Sequence, residues 1–279
     1  MLQSNLVIKN FLVVHNCSLK AMSRKMVHYC QVVPYLAKFD CIGEILVNSK
    51  HFSTTVTKVM ITSGWPKSSA AKTEIVNVVS GENCADLADF PWEIEGAVGA
   101  NLHGTPAVCG GWSSNYIRKC YKFTNGGWKV FASMKEKRRY AAGVVHNNRF
   151  YVFGGKDGST LRSSEIISID GGVEYGPDLP TAVYNHAITA INTTVSILSG
   201  GTTSASLKSP STWYYNHETQ GFSSGPSLLE RRRVHGSATI VDKVTKSKIP
   251  IVTGGLGNGF LKSTEMLING HWQPGMYYI

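Results

Sequence analysis

The sequence predicts an all-β fold in which four-stranded antiparallel sheets stack radially as the blades of a β-propeller, and three observations lead there. Short β-rich runs that end in a glycine pair recur along the chain. A second β-like run follows each of them after a turn, often opened by Glu. Glycine is frequent, at 28 of 279 residues, while only 16% of residues are charged, a balance that favours tight turns over long solvated helices.

The glycine-terminated runs occupy residues 59–65, 106–111, 150–155, 195–201 and 250–255, and their first glycines stand 46, 44, 46 and 54 residues apart. Self-similarity at such a period is the mark of a repeat architecture. The second runs begin at Glu74, Lys119, Glu165, Thr212 and Glu265, and an aromatic follows each: Trp92, Trp128, Tyr175, Phe222 and Trp272. A basic or proline-containing turn and a small-residue strand come next, as at residues 137–145 and 231–240, with residues 181–190 the same element without the arginines. In the clearest unit the strands are expected at residues 141–145, 149–153, 164–169 and 173–176. A four-stranded sheet of this size cannot bury both faces alone, so the sheets must stack. The glycine pairs suit places where a strand ends against its neighbours and leaves no room for a side chain.

The Gly-Gly doublet, the Glu after it, the downstream Trp and the Arg-Arg-x-His turn together resemble the kelch repeat. The resemblance covers residues 59–279 in five registers, with expected units near 59–100, 101–145, 146–190, 191–240 and 241–279. It implies a kelch-type β-propeller, a family usually of six blades. Residues 1–58 are then either a leader or a sixth, degenerate blade, with strands expected at 5–14, 27–36 and 42–47. The chain departs from the family pattern at Gly64-Trp65, before His186, and at Ala141, which stands where another repeat has His235.

No catalytic signature is present: no Gly-x-Ser-x-Gly elbow, no Walker loop, no His-Glu-x-x-His and no Cys-x-x-Cys. The run from Gly255 to Phe260 has Phe where a dinucleotide loop needs its third glycine, so a hairpin loop is expected. The expected protein is not an enzyme and needs no cofactor or metal. A copper oxidase or carbohydrate-active propeller, which the resemblance also allows, is the alternative of a different class. His186 and His235 fall in equivalent registers and are expected to do the same packing or hydrogen-bonding work twice. Trp92, Trp128 and Trp272 are expected between blades.

Cys109 precedes a glycine pair and Cys120 opens the next strand, so a hairpin centred near Asn115 sets them opposite each other as a candidate disulfide. With Cys84, the pattern is similar to that of secreted invertebrate kelch proteins. Free buried cysteines in a reduced compartment are the competing reading, which leaves secreted and cytoplasmic locations equally open. Sequons at Asn16 and Asn192 fit exposure outside the cell, whereas the segment 6–14, broken by Lys9, is a poor signal peptide.

The net charge of +10 invites an acidic partner, while nucleic acid is not the expected one and no apolar stretch is long enough to span a membrane. In a four-stranded antiparallel blade, the loop after the second strand and the connection to the next blade emerge on one face. That face should carry Arg118, Lys119, Lys137, Arg138, Arg139, Lys156, Arg162, Arg231, Arg232 and Arg233, the candidate protein-binding residues. At least one arginine of each cluster is expected to bond neighbouring carbonyls instead. The function expected is a non-catalytic protein-interaction module that binds an acidic segment. The resemblance also implies other contexts: a substrate-recognition part of a cullin ubiquitin-ligase adaptor, or an actin-associated kelch protein.

Overall fold

The structure, a computed structural model, describes residues 12–14, 52–53, 58–62, 71–77, 83–242 and 244–275, and these contain strands and turns but no helix. Five main sheets follow one another along the chain, of which the second, third and fourth are antiparallel and four-stranded and the fifth is an antiparallel sheet of five strands. The second sheet comprises Val98–Leu102, Thr105–Cys109, Lys119–Thr124 and Gly127–Ser133. The third comprises Ala142–His146, Arg149–Phe153, Ser164–Ser168 and Val173–Tyr175. The fourth runs through Ala187–Ala190, Val195–Ser199, Thr212–Asn216 and Gly221–Ser224, and the fifth through Gly236–Asp242, Lys248–Thr253, Thr264–Ile268 and His271–Pro274.

The first sheet departs from this pattern. Lys58–Thr62, Thr73–Asn77 and Asn83–Asp86 pair antiparallel, but the place of the innermost strand is taken by Leu12–Val14, which runs parallel to Lys58–Thr62. Phe52–Ser53 joins the fifth sheet beside Gly236–Asp242. Segments from residues 1–58 therefore enter two different sheets, at opposite ends of the series. The strands expected at 27–36 and 42–47, and Cys17, Cys30 and Cys41, lie outside the described residues. The sheets also divide the chain differently from the expected units: the strand that closes each unit opens the next sheet, as Ala142–His146 does for the third.

The second strand of the second, third and fourth sheets is buried along all but its first residue. Such a strand is covered on both faces, and the neighbouring sheets do the covering. Val98, Ala132, Phe150, Val152 and Ile167 form one cluster across the second and third sheets, and Phe153, Ile166, Leu198 and Tyr215 another across the third and fourth. The outer strands are largely exposed. Within a sheet the hairpins are tight because His103-Gly104, Asn125-Gly126, Asn147-Asn148 and Asn269-Gly270 all take positive φ, as a two-residue turn of matching twist requires.

The connections between sheets are joined to one another. Tyr140 N–H donates to the carbonyl of Gly96 at 2.7 Å, Asn185 N–H to Tyr140 at 2.9 Å, and Val234 N–H to Asn185 at 2.8 Å. Each of the four residues lies at φ between 52° and 62°. One backbone run thus links the entries of four successive sheets. The glycine pairs complete the stitching: Gly111, Gly155 and Gly201 donate to the carbonyls of Arg138, Val183 and Arg232 in the connection to the following sheet. A Cβ on Gly110, Gly154 or Gly200 would lie 2.4 Å from the same carbonyl oxygens, which is why a pair without side chains recurs there.

Candidate functional site

The loop after each second strand lies against the connection that enters the same sheet. Glu95 bridges Trp112, Arg139 bridges Lys156, and Arg233 bridges Leu256. The expectation that these two sets of loops share a face holds, and the ten basic candidates divide into three groups by depth: buried, half-buried and exposed.

Arg138 and Arg232 are corrections: both are fully buried and cannot meet a partner. Arg138 donates to the Gly154 carbonyl at 2.7 Å, the Ser163 carbonyl at 3.1 Å and Glu165 Oε1 at 2.8 Å. Glu165, equally buried, also accepts the backbone N–H groups of Lys135 and Glu136. Arg232 repeats the device on Gly254, Ser263 and Glu265, with Leu229 and Glu230 donating to that carboxylate. The guanidinium fork bonds the carbonyls of the glycine pair and of the serine, the latter already accepting a backbone N–H, and the carboxylate neutralises it. Where the arginine is absent the acid is absent too: Ile94 and Tyr121 hold these two positions in the second sheet, and Val183 and Trp213 in the fourth. These arginines hold each connection to its sheet.

Arg139, Lys156 and Arg233 are half-buried. Arg139 pairs with Glu95 at 3.2 Å and lies over the rings of Tyr116 and Tyr140, while Lys156 lies over Tyr184 at 5.3 Å. Arg118, Lys119, Lys137, Arg162 and Arg231 are exposed. Arg162 reaches back to the Leu179 carbonyl.

Arg118 and Lys119 border a groove. It is open, of ≈ 520 Å³, and is lined by Trp92, Tyr116, Arg118, Lys119, Tyr121 and Ser133, among others. Trp92 is 41% exposed and meets Tyr121 edge to face at 5.5 Å. The expectation that it packs between blades fails, because the connection that carries it turns it out onto the loop face. Trp128 and Trp272 do pack inside, donating to Thr73 Oγ1 of the first sheet and to the Pro226 carbonyl in the connection that leaves the fourth. The Tyr121 hydroxyl is buried without a hydrogen-bond partner, and burial raises its pKa.

Cys109 and Cys120 form a disulfide in which both residues are buried. They face each other in register, and the same register holds the hydrogen-bonded pairs Thr62 with Thr73 and Thr253 with Thr264 in the first and fifth sheets. The histidines do not repeat their task. His235 Nε2 and Ser199 Oγ are 2.9 Å apart, whereas the place of Ser199 is taken for His186 by Phe153, and both ring nitrogens of His186 lack a partner. Burial lowers the pKa of His186 to about 3 and that of His235 well below its usual value. Among the described residues no cluster of His, Cys, Asp and Glu is placed to hold a metal ion, and no helix is long and apolar enough to cross a membrane.

Successive four-stranded sheets, joined at their entries and carrying a basic loop face, define an all-β protein with a propeller-like fold. Among solved structures, that of YjhT is similar, with a TM-score of 0.68 at 13% identity over 81% of this chain and 82% of that one. At that identity the likeness concerns the fold. No protein-family model and no curated protein matches the sequence.

Proposed function

We propose that the chain is a kelch-type β-propeller that acts as a non-catalytic protein-interaction module and takes an acidic segment on its basic loop face. The observation that carries this reading is the groove between Trp92 and the Arg118-Lys119 pair. An exposed indole beside two exposed cations suits a peptide with an apolar anchor next to carboxylates, since aromatic anchors supply affinity and charge supplies orientation and encounter rate. The propeller reading is supported by the linked sheet entries and by the YjhT likeness. Arg138 and Arg232 contribute the rigid frame from which the loops present these residues.

A fluorescent peptide carrying one leucine among glutamates is the probe. It is expected to bind saturably in an anisotropy titration, and a control with lysine in place of glutamate is expected not to. Equal binding of the two peptides would contradict the proposal.

A further inference from the structure

Among the described residues seven large apolar side chains are exposed, and three of them, Leu207 at 62%, Leu229 at 56% and Phe260 at 59%, come from three loops that touch one another. Leu207 lies in the loop after the second strand of the fourth sheet, Leu229 in the connection from the fourth sheet to the fifth, and Phe260 in the loop after the second strand of the fifth. Leu228 N–H donates to the Pro210 carbonyl at 2.8 Å, and Lys208 Nζ donates to the Gly257 carbonyl. Leu256 bridges Arg233, and a Cβ on Gly257 would lie 2.9 Å from the Arg231 carbonyl oxygen. The tips themselves are bonded turns: Ser206 N–H donates to Thr203 and Thr203 N–H to Leu207, while Leu256 bridges Phe260. Neighbouring apolar side chains held out in water on such turns mark an interaction surface.

We propose that these three loops dock the protein on an anionic lipid bilayer, with Leu207, Leu229 and Phe260 entering the headgroup region and Arg231 and Lys262 meeting lipid phosphates. Charge complementarity selects this partner. Each apolar tip has a cation one or two places further along the chain: Lys208 after Leu207, Arg231 after Leu229 and Lys262 after Phe260. Arg231 and Lys262 are exposed and Lys208 is half-buried, whereas the one carboxylate in residues 202–211, 226–233 and 254–263 is the half-buried Glu230. A bilayer interface takes apolar tips to the boundary of the acyl chains while long basic side chains extend back to the phosphates. A bound peptide would follow one strip of the surface, but a plane of negative charge meets the tips of three loops at once. The net charge of +10 adds to the attraction. This surface shares no residue with the groove at Trp92, and the inference stands without peptide binding there.

The test is cosedimentation of the full chain with vesicles of phosphatidylcholine alone and of phosphatidylcholine with about 30% phosphatidylserine. Binding to the anionic vesicles is expected, tighter than to the neutral ones by about tenfold or more. L207S/L229S/F260S, which leaves the charge unaltered, should weaken it by about tenfold or more, and so should R231E/K262E. Both variants should keep the melting temperature, since the side chains they change are exposed. K246E/K248E reverses two exposed cations at the hairpin on the other end of the fifth sheet and should leave binding within a factor of about two. An equal loss in K246E/K248E would reduce the attraction to net charge and overturn the proposal, as would full binding by the apolar variant. No binding to the phosphatidylserine vesicles would overturn it too. Self-association in place of vesicle binding, abolished by L207S/L229S/F260S, would assign the surface to a second copy of the chain instead.

Discussion

At the scale of single residues, Arg232 and Glu265 need each other. Removing one leaves a buried charge without its counterpart, a loss of about 3–5 kcal/mol. Arg232→Val alone should therefore cut stability by that order, while R232V/E265W, which copies Val183 and Trp213, should recover a large part of it. The coupling is read from a double-mutant cycle by denaturant unfolding, and additive losses would contradict it. The buried histidines give a second prediction. His186 titrates at about 3 and His217 at about 4, the latter lowered first by burial and then by the His146 ring stacked on it at 4.2 Å. Above the unfolded value near ~6.5 both states are neutral and stability is complete. As pH falls below that, the unfolded chain takes up protons that the native state refuses. Stability should drop by about 1.4 kcal/mol per pH unit for each such histidine, until the native values are reached. Unfolding free energies that stay level between neutral pH and pH ~5 would refute this.

The connections between sheets are the elements on which the architecture turns, and they were the least legible in the sequence. The glycine pairs, the strand pairs and the cross-strand cysteines could be read because strand pairing is written in side chains of period two and in turn residues. The left-handed entry positions could not, since Gly96, Tyr140, Asn185 and Val234 share a backbone conformation and no side-chain chemistry. The basic clusters were legible in part: one arginine of each was expected to bond neighbouring carbonyls, and does, but only the register between Arg232 and Glu265 shows that it is the middle residue that turns inward. Val234, β-branched at φ 52°, carries strain that Asn185 carries more easily. Val234→Asn should raise stability by about 1 kcal/mol, visible as a higher denaturant midpoint, and a lowered midpoint would contradict the strain account.

For the molecule as a whole, the positive charge is sorted by depth. Arg138 and Arg232 build the sheets' junctions, while Arg118, Lys119, Lys137, Arg162 and Arg231 remain at the surface of one loop face. The groove at Trp92 was legible only in part: the basic loops were expected on one face, but nothing in the sequence separated Trp92 from Trp128 and Trp272, which occupy similar registers and are buried. The separation follows from three-dimensional packing, which covers Trp128 with Phe90 of the entering connection and Trp272 with Ile197 and Tyr214 of the fourth sheet.

The most direct measurement is the affinity of the glutamate-rich, leucine-containing peptide for R118E/K119E beside that for the unaltered protein, with thermal stability recorded for both. The account predicts a loss of affinity of about tenfold or more with the melting temperature unchanged, because the two exposed cations steer and hold the peptide but do not support the fold. Undiminished binding by the charge-reversed protein would contradict it.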